Sequence, residues 1–199
     1  MLPRMDVRPA RGEEVPQLAA MLARAFHDDP VTAWFLRNEP KRPRYAKRFF
    51  GWQLRRLIDQ EQVHVAEDGS GAALWALPGR WRESTWQAAK LFVSLLPAVG
   101  AQFPVAARGI ERVEKRHPSE PHLYLAVLGT DPAAQGRGIG TALMRPGLEL
   151  CDRDGLPAYL ESSKERNIAF YSRFGFRVTE EIPMPGGGPK VWLMWRDPA

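Results

Sequence analysis

The stretch QGRGIGTALM, residues 135–144, places Gly136, Gly138 and Gly140 directly before an apolar run of helical spacing. Glycine is costly in regular structure, so three in five residues mean that the backbone must turn or approach where a side chain would obstruct it. Successive N–H groups left open at a helix start, with the helix dipole behind them, form an anion site suited to phosphate. Arg137 adds a cation to it. Two other phosphate-binding patterns are excluded. A Walker loop needs lysine and then serine or threonine after its last glycine, whereas Thr141 and Ala142 follow Gly140. A dinucleotide fingerprint needs G-x-G-x-x-G, and the spacing here is G-x-G-x-G.

The surrounding elements must hold this loop. HLYLAVLGT reads as a strand ending near Thr130, DPAAQ as a turn, GIGTALMRPGLELCDRDG as a helix ending near Gly155, and PAYLESS as a second strand, which together make a βαβ unit. Upstream, DVRPA is a short strand, and EEVPQLAAMLARAF sets Val15, Leu18, Ala19, Leu22 and Phe26 on one helical face until HDDP ends it. A second helix runs from about Arg42 to Asp59, and VHVAE, the Asp68-Gly69 turn and AALWALP form a hairpin. Residues 80–117 read as two or three helical pieces interrupted at Pro97, Gly100 and Pro104. AFYSRF, closed by Gly175, is a helix, and FRVTEEIPM and KVWLMWR are strands around the loop PGGGP. The expectation is one α/β domain over residues 1–199 with a mixed, strongly twisted sheet, flanking helices and a helical insert between 80 and 117. No linker marks a second domain.

Composition bounds the partners. The chain has 199 residues, 44% hydrophobic and 26% charged, which is the balance of a water-soluble globular protein. No apolar run approaches the ~18 residues of a membrane span, so no membrane partner is expected. The first residues carry no apolar signal core, and the single cysteine, Cys151, cannot form an internal disulfide, so a reducing cytoplasm is the expected location. Net charge is +5, from 28 basic and 23 acidic residues, a modest excess. The cluster KRPRYAKRFF at 41–50 reads as a helix with aromatic residues inward and Lys47 and Arg48 solvated, not as a nucleic-acid surface. Four scattered histidines and one cysteine offer no metal-ligand spacing, so no metal is expected. His122 reads as a structural strand histidine and Cys151 as a small buried apolar residue rather than a nucleophile.

QGRGIG resembles the Q/R-x-x-G-x-G/A signature of GCN5-related N-acetyltransferases (GNAT), filled by Gln135, Gly138 and Gly140. The upstream strand LAVLGTDP and the downstream NIAFYSRFGF resemble the family's neighbouring segments in the same order. Through AFHDDP, ALWALP, the insert, EPHLYLAVLGT, LESSKERN and the closing strands, the resemblance extends to enzymes of the puromycin N-acetyltransferase type, which confer antibiotic resistance. It implies the GNAT fold with six to seven strands and a bound acetyl coenzyme A. The pyrophosphate is then expected on Gln135, Gly136, Arg137, Gly138, Ile139, Gly140 and Thr141, and the pantetheine arm along the backbone of Leu128, Gly129 and Thr130, where the family's strand splays from the next. Asn167 is the implied polar contact to pantetheine, with helix capping as the alternative.

Tyr171 is the implied acid at the departing sulfur, with a core aromatic as the alternative. A tyrosine of pKa ~10 is a weaker acid than a thiol of ~8.5, so full transfer is uphill by about 2 kcal/mol and hydrogen bonding to the sulfur carries much of the expected effect. Glu161, near the end of a strand, is the candidate base, acting through water, against the reading of an ordinary salt-bridged carboxylate. His27, Asp28 and Asp29 are candidates for the acceptor pocket, with Trp34 and Phe35 packing against an aromatic or apolar acceptor. The expected reaction is direct acetyl transfer to a primary amine of a small molecule, an aminonucleoside antibiotic being one such acceptor. A protein or peptide amine as acceptor, and an acyl-coenzyme A binding module without turnover, stay open. A homodimer is neither required nor excluded.

Overall fold

The structure, a computed structural model, describes residues 6–82 and 85–199; the first five residues and positions 83 and 84 of the insert lie outside them. In chain order the elements are β1 (Val7–Pro9), α1 (Val15–Ala25), α2 (Pro30–Phe35), α3 (Arg42–Ile58), β2 (Val63–Ala66), β3 (Gly71–Ala76) and α4 (Thr85–Val99). They continue with α5 (Phe103–Glu114), β4 (Leu123–Thr130), α6 (Ile139–Asp154), β5 (Ala158–Ser162), α7 (Ile168–Ser172), β6 (Arg177–Pro183) and β7 (Lys190–Arg196). The strands form one seven-stranded sheet in the order β1-β2-β3-β4-β5-β7-β6. Every joint is antiparallel except β4–β5, which is parallel because α6 carries the chain back to the same end.

Each face of the sheet buries its own cluster. Leu18 and Leu22 of α1, Leu54 and Leu57 of α3, Leu95 of α4 and Ala106 of α5 cover one face. Leu143, Met144 and Cys151 of α6 and Tyr171 of α7 cover the other, so Cys151 is the buried apolar residue its helix position suggested. Tyr45 and Phe50 are buried and Lys47 and Arg48 exposed, as the helical reading of 41–50 requires.

Close approach fixes α6 over the sheet. A Cβ on Gly147 would lie 2.2 Å from Cε2 of the fully buried Trp75 on β3, and one on Gly71 would lie 2.7 Å from Ile139. Arg196 of β7 then clamps Asp152 of α6 with two bonds, of 2.7 and 2.9 Å, while its Nε donates to the Phe174 carbonyl. The clamp holds the carboxy-terminal end of α6, while the Gly71–Ile139 contact holds its amino-terminal end where Gly71 pairs with Thr130 at the end of β4.

The insert differs from its expected form. Pro97 lies within α4 without interrupting it, and the break falls at Gly100, whose φ is +53°. A 3-10 turn over Gly100–Gln102 follows, and Pro104 sits in the first turn of α5, where a missing N–H is harmless. The stretch Val93–Glu114 is 22 residues long and contains an 18-residue window of mean hydropathy 1.2, which reaches the length and composition of a membrane span, more than the sequence reading allowed. That turn divides it, and Leu95, Ala98, Val99 and Ala106 enter the core.

Gly147→Ala is a test of the α6 contact. Alanine is the better helix former by about 1 kcal/mol, but overpacking a rigid core costs about 1–3 kcal/mol, and the ring of Trp75 has no room to move. The clash wins: thermal unfolding of the variant begins several degrees lower, and an unchanged or raised midpoint contradicts the packing described.

Candidate functional site

The site is a fork in the sheet. β4 and β5 pair at Leu123↔Ala158, Tyr124↔Tyr159 and Leu125↔Leu160, and then part. At the same level the β3–β4 register passes from Leu74↔Val127 to Trp75↔Leu125, leaving Ala126 as the extra residue of a bulge. A bulge bends its strand and ends regular pairing, which is what opens the fork. On its other side β4 stays paired with β3 as far as Thr130. Antiparallel residues direct their N–H and C=O alternately toward the partner and away from it. Because the Asp131 N–H donates to the Ser70 carbonyl at 2.8 Å, this alternation turns Val127 and Gly129 toward β3 and Leu128 and Thr130 toward the gap. Of the three residues expected to meet the pantetheine arm, Leu128 and Thr130 therefore offer backbone groups, although the Thr130 carbonyl also accepts from Gln135 Nε2 at 3.3 Å. Gly129 serves packing: a Cβ there would lie 2.6 Å from Leu22 and 3.0 Å from Phe26.

The three glycines of the loop do two jobs. Gly136 and Gly138 have φ of +78° and +79° with open space around them, so conformation alone selects glycine there. Gly140 is helical, and a Cβ on it would press to 3.3 Å from Phe170 Cζ, so it serves the contact between α6 and α7. The first helical bond of α6 runs from the Ala142 N–H to the Gly138 carbonyl at 3.1 Å. The N–H groups of Ile139, Gly140 and Thr141 thus precede any intrahelical acceptor and point out of the helix start. Arg137 is exposed, and its charge, after the two Ser70 hydrogen bonds, helps hold the Asp68 carboxyl below the usual range.

A strap crosses the mouth of the fork. Asp29, 4% exposed, accepts the Thr32 N–H at 2.8 Å, capping α2, and also accepts the Ser163 hydroxyl. Exposed Asp28 pairs with Lys164 at 2.7 Å, which holds its carboxyl below the usual range, and lies 3.7 Å from Arg166. HDDP is thus both a helix exit and a tie from the α1–α2 turn to the β5–α7 connection. His27 is exposed beside Arg24, Arg44 and Lys47 in an open groove between α1 and α3. Trp34, expected to pack against an acceptor, is 7% exposed and packed beside Gly109, Gly188 and Met184, with its buried indole N–H making no hydrogen bond among the described residues. Phe35 is half-buried against the same core.

α7 brings the remaining expected residues. Asn167 takes the N-cap position with helical dihedrals and makes no capping bond, so its side chain is left for another partner. Tyr171 is buried at 8% exposure; burial first and the Asp29 charge second push its hydroxyl well above the ordinary tyrosine value. It belongs to the α6 face.

Glu161 stands on the other face, because it alternates with Leu160, and it is the first β5 residue past the last β4 pairing. Tyr124 Oη donates to its Oε2 at 2.6 Å, and His117 Nδ1 lies 3.5 Å from its Oε1. Sequence reading missed Tyr124 and His117. Tyr124 sits among apolar strand residues, and His117 and His122 come together only because the α5–β4 connection folds back. His122 precedes β4 rather than lying within it.

Gly138→Ala forces alanine into φ near +79°, a strain of about 1–2 kcal/mol. In calorimetric titration this weakens binding of acetyl coenzyme A roughly 5- to 30-fold. Gly12→Ala, where a Cβ meets nothing, leaves the affinity unchanged; equal effects from both would disconnect the loop from the ligand.

The profile of the Acetyltransferase (GNAT) family matches residues 25–176, which include the fork, the glycine loop and Tyr171. An N-acetyltransferase of Schizosaccharomyces pombe, C550.08, is 28% identical over 207 residues, covering 98% of this chain and 84% of that protein. The mycothiol acetyltransferase of Acidimicrobium ferrooxidans is 37% identical over 76 residues, 37% of this chain and 22% of its own length. Among solved structures, the histone acetyltransferase HPA2 and related acetyltransferase from Corynebacterium glutamicum superposes with a TM-score of 0.70 at 26% identity, covering 98% of this chain and 97% of that one. The polyamine N-acetyltransferase of Drosophila melanogaster shares the fold, with a TM-score of 0.67 at 18% identity over 97% and 99% of the two chains. A family match of this extent, falling on the fork and loop just described, settles the matter: the chain belongs to the GNAT family of acetyltransferases.

Proposed function

We propose that this acetyltransferase moves the acetyl group of acetyl coenzyme A directly onto the primary amine of a small molecule. The observation that carries the reading is the fork, which begins beside Glu161, exposes the Leu128 and Thr130 backbone along its length and ends at the glycine loop. The residues fit the cosubstrate. An amide-bearing arm pairs with Leu128 and Thr130 as an added strand would, and the N–H groups of Ile139 to Thr141 suit a pyrophosphate. Asn167, with no capping bond, supplies a donor and an acceptor nearby.

When bound, acetyl coenzyme A supplies a thioester whose carbonyl carbon an amine can attack. The Leu128 N–H, fixed in place by the β3 pairing, is aimed to polarise that carbonyl without reorganising. Glu161 takes the proton that the arriving ammonium must lose. Tyr171 donates a hydrogen bond to the departing sulfur. With its ionisation raised above the ordinary value by burial, its hydroxyl stays protonated, so no alkaline loss of activity below pH ~10 belongs to it.

The insert supports a small acceptor. Arg112 donates to the Pro183 carbonyl at 2.9 Å, Arg116 pairs with Glu180 at 2.8 Å, and Gln102 reaches the Trp34 carbonyl at 3.5 Å. Those contacts tie the insert to β6 and α2, which in this reading narrows the acceptor side that a protein substrate would need open.

A panel of small primary amines, puromycin as its aminonucleoside member, and peptides with free N-termini or lysines tests the acceptor by acetyl mass gain. Modification of at least one small amine and of no peptide is expected; modification of peptides alone reverses the assignment, and turnover of nothing leaves a binding module. On the amine that reacts, Tyr171→Phe lowers kcat by roughly 10- to 100-fold, the worth of one hydrogen bond to a charged group, with KM for acetyl coenzyme A unchanged.

A further inference from the structure

Two histidines of the α5–β4 connection and Glu161 of β5 form a chain of three ionisable groups that ends at the fork. His122 Nδ1 lies 2.6 Å from the Glu120 carbonyl, His122 Nε2 lies 3.0 Å from His117 Nε2, and His117 Nδ1 lies 3.5 Å from Glu161 Oε1. Hydrogen-bond chemistry assigns the protons along this chain. A carbonyl oxygen only accepts, so His122 Nδ1 carries a hydrogen. Burial lowers the His122 imidazole below its ordinary value and keeps it neutral, so its Nε2 is bare. His117 Nε2 must therefore donate, and a neutral His117 turns a bare Nδ1 toward a carboxylate oxygen. Two acceptors then face each other, with room between them for one proton. Both side chains are largely withdrawn from water, His117 at 2% and Glu161 at 18% exposure.

We propose that His117 is the proton-holding partner of Glu161, so that the base of the reaction is the pair and not the carboxylate alone. The inference rests on the amine-acetylation reading. In the step, an N–H bond of the acceptor ammonium breaks and leaves its electron pair on nitrogen; the proton bonds to Glu161, then leaves that oxygen for His117 Nδ1. Glu161 is again an anion and His117 a cation. Solvent takes the proton once the product, an amide without a basic nitrogen, departs.

The other groups around the imidazole do not compete for that proton. Trp81 stacks on it with ring centroids 3.5 Å apart. Tyr124 and Tyr159 approach it edge-on at 4.9 and 4.8 Å, and burial pushes both phenols above the ordinary tyrosine value, so they remain neutral donors. Among the described residues, the nearby fixed charges are Arg56 of α3, acting on Tyr124, Glu180 of β6, acting on Tyr159, and Glu120, acting on His122. His117 thus acts through Glu161 as a positioning residue without touching the substrate.

The test pairs a spectrum with a pH profile. Nitrogen-15 spectra of the unliganded wild-type protein are expected to show His122 protonated at Nδ1 and His117 at Nε2; the opposite tautomers overturn the proposal whatever the activity. His117→Gln retains an N–H donor for His122 but cannot hold the proton. Its kcat at neutral pH is expected to fall about 100-fold, the usual worth of a positioned base, and to recover at alkaline pH, where the amine arrives already neutral. KM for acetyl coenzyme A stays constant. A loss equal at every pH, or none, would falsify the role of His117 while leaving amine acetylation standing. A wild-type protein that acetylates no amine sinks the functional reading instead, and the tautomers still report on the pair.

Discussion

The parting of β4 from β5 after Leu125 and Leu160 is the constraint on which the rest of the molecule depends. A strand edge inside a sheet is a row of donors and acceptors that water, another chain or a ligand must satisfy, at about 1–3 kcal/mol for each buried group left without a partner. The bulge at Ala126 starts the opening, and rigid packing around it keeps the strands from closing. α1 presses on β4 at Gly129, α6 presses on β3 at Gly71 and Gly147, and Arg196 fixes β7 to α6. With those four contacts in place, the outward backbone groups of Leu128 and Thr130 have a fixed position before any ligand arrives. That is the preorganised geometry that electrostatic catalysis needs.

The fork also divides the chemistry between the two faces of the sheet. Tyr171 lies on the α6 face, where burial and the Asp29 charge keep its hydroxyl protonated. Glu161 stands beside the fork on the opposite face, accepting from Tyr124, with His117 Nδ1 3.5 Å away. Tyr171 and Glu161 thus lie on opposite faces of the sheet, each among its own neighbours. Asp29 couples these regions to the strap, since the same carboxylate caps α2, accepts from Ser163 and acts on Tyr171.

Much of this was legible in the sequence where function demands an unusual residue. Three glycines before an apolar helix pointed to an anion loop, and the βαβ reading around them holds, with β4 and β5 parallel. Periodicity found the helices and strands but not how each glycine works. That Gly140 meets Phe170 depends on a helix more than twenty residues away, whereas Gly136 and Gly138 take positive φ in open space. Trp34 reads as an acceptor contact because it follows HDDP, and spacing gives no sign that Gly109 and Gly188 leave the space its indole fills. His117 and His122 could not be paired from spacing, because the chain reversal that joins them has no periodic signature. Pro97 misled in the other direction, since packing of the insert carries α4 straight through it.

Backbone amide hydrogen exchange, with and without acetyl coenzyme A, tests the fork most directly. The account predicts that the amides of Leu128 and Thr130 exchange at least tenfold more slowly in the saturated protein, while those of Val127 and Gly129, already turned to β3, change little. Saturable binding that leaves Leu128 and Thr130 exchanging at their unliganded rates would place the pantetheine arm elsewhere and contradict the account.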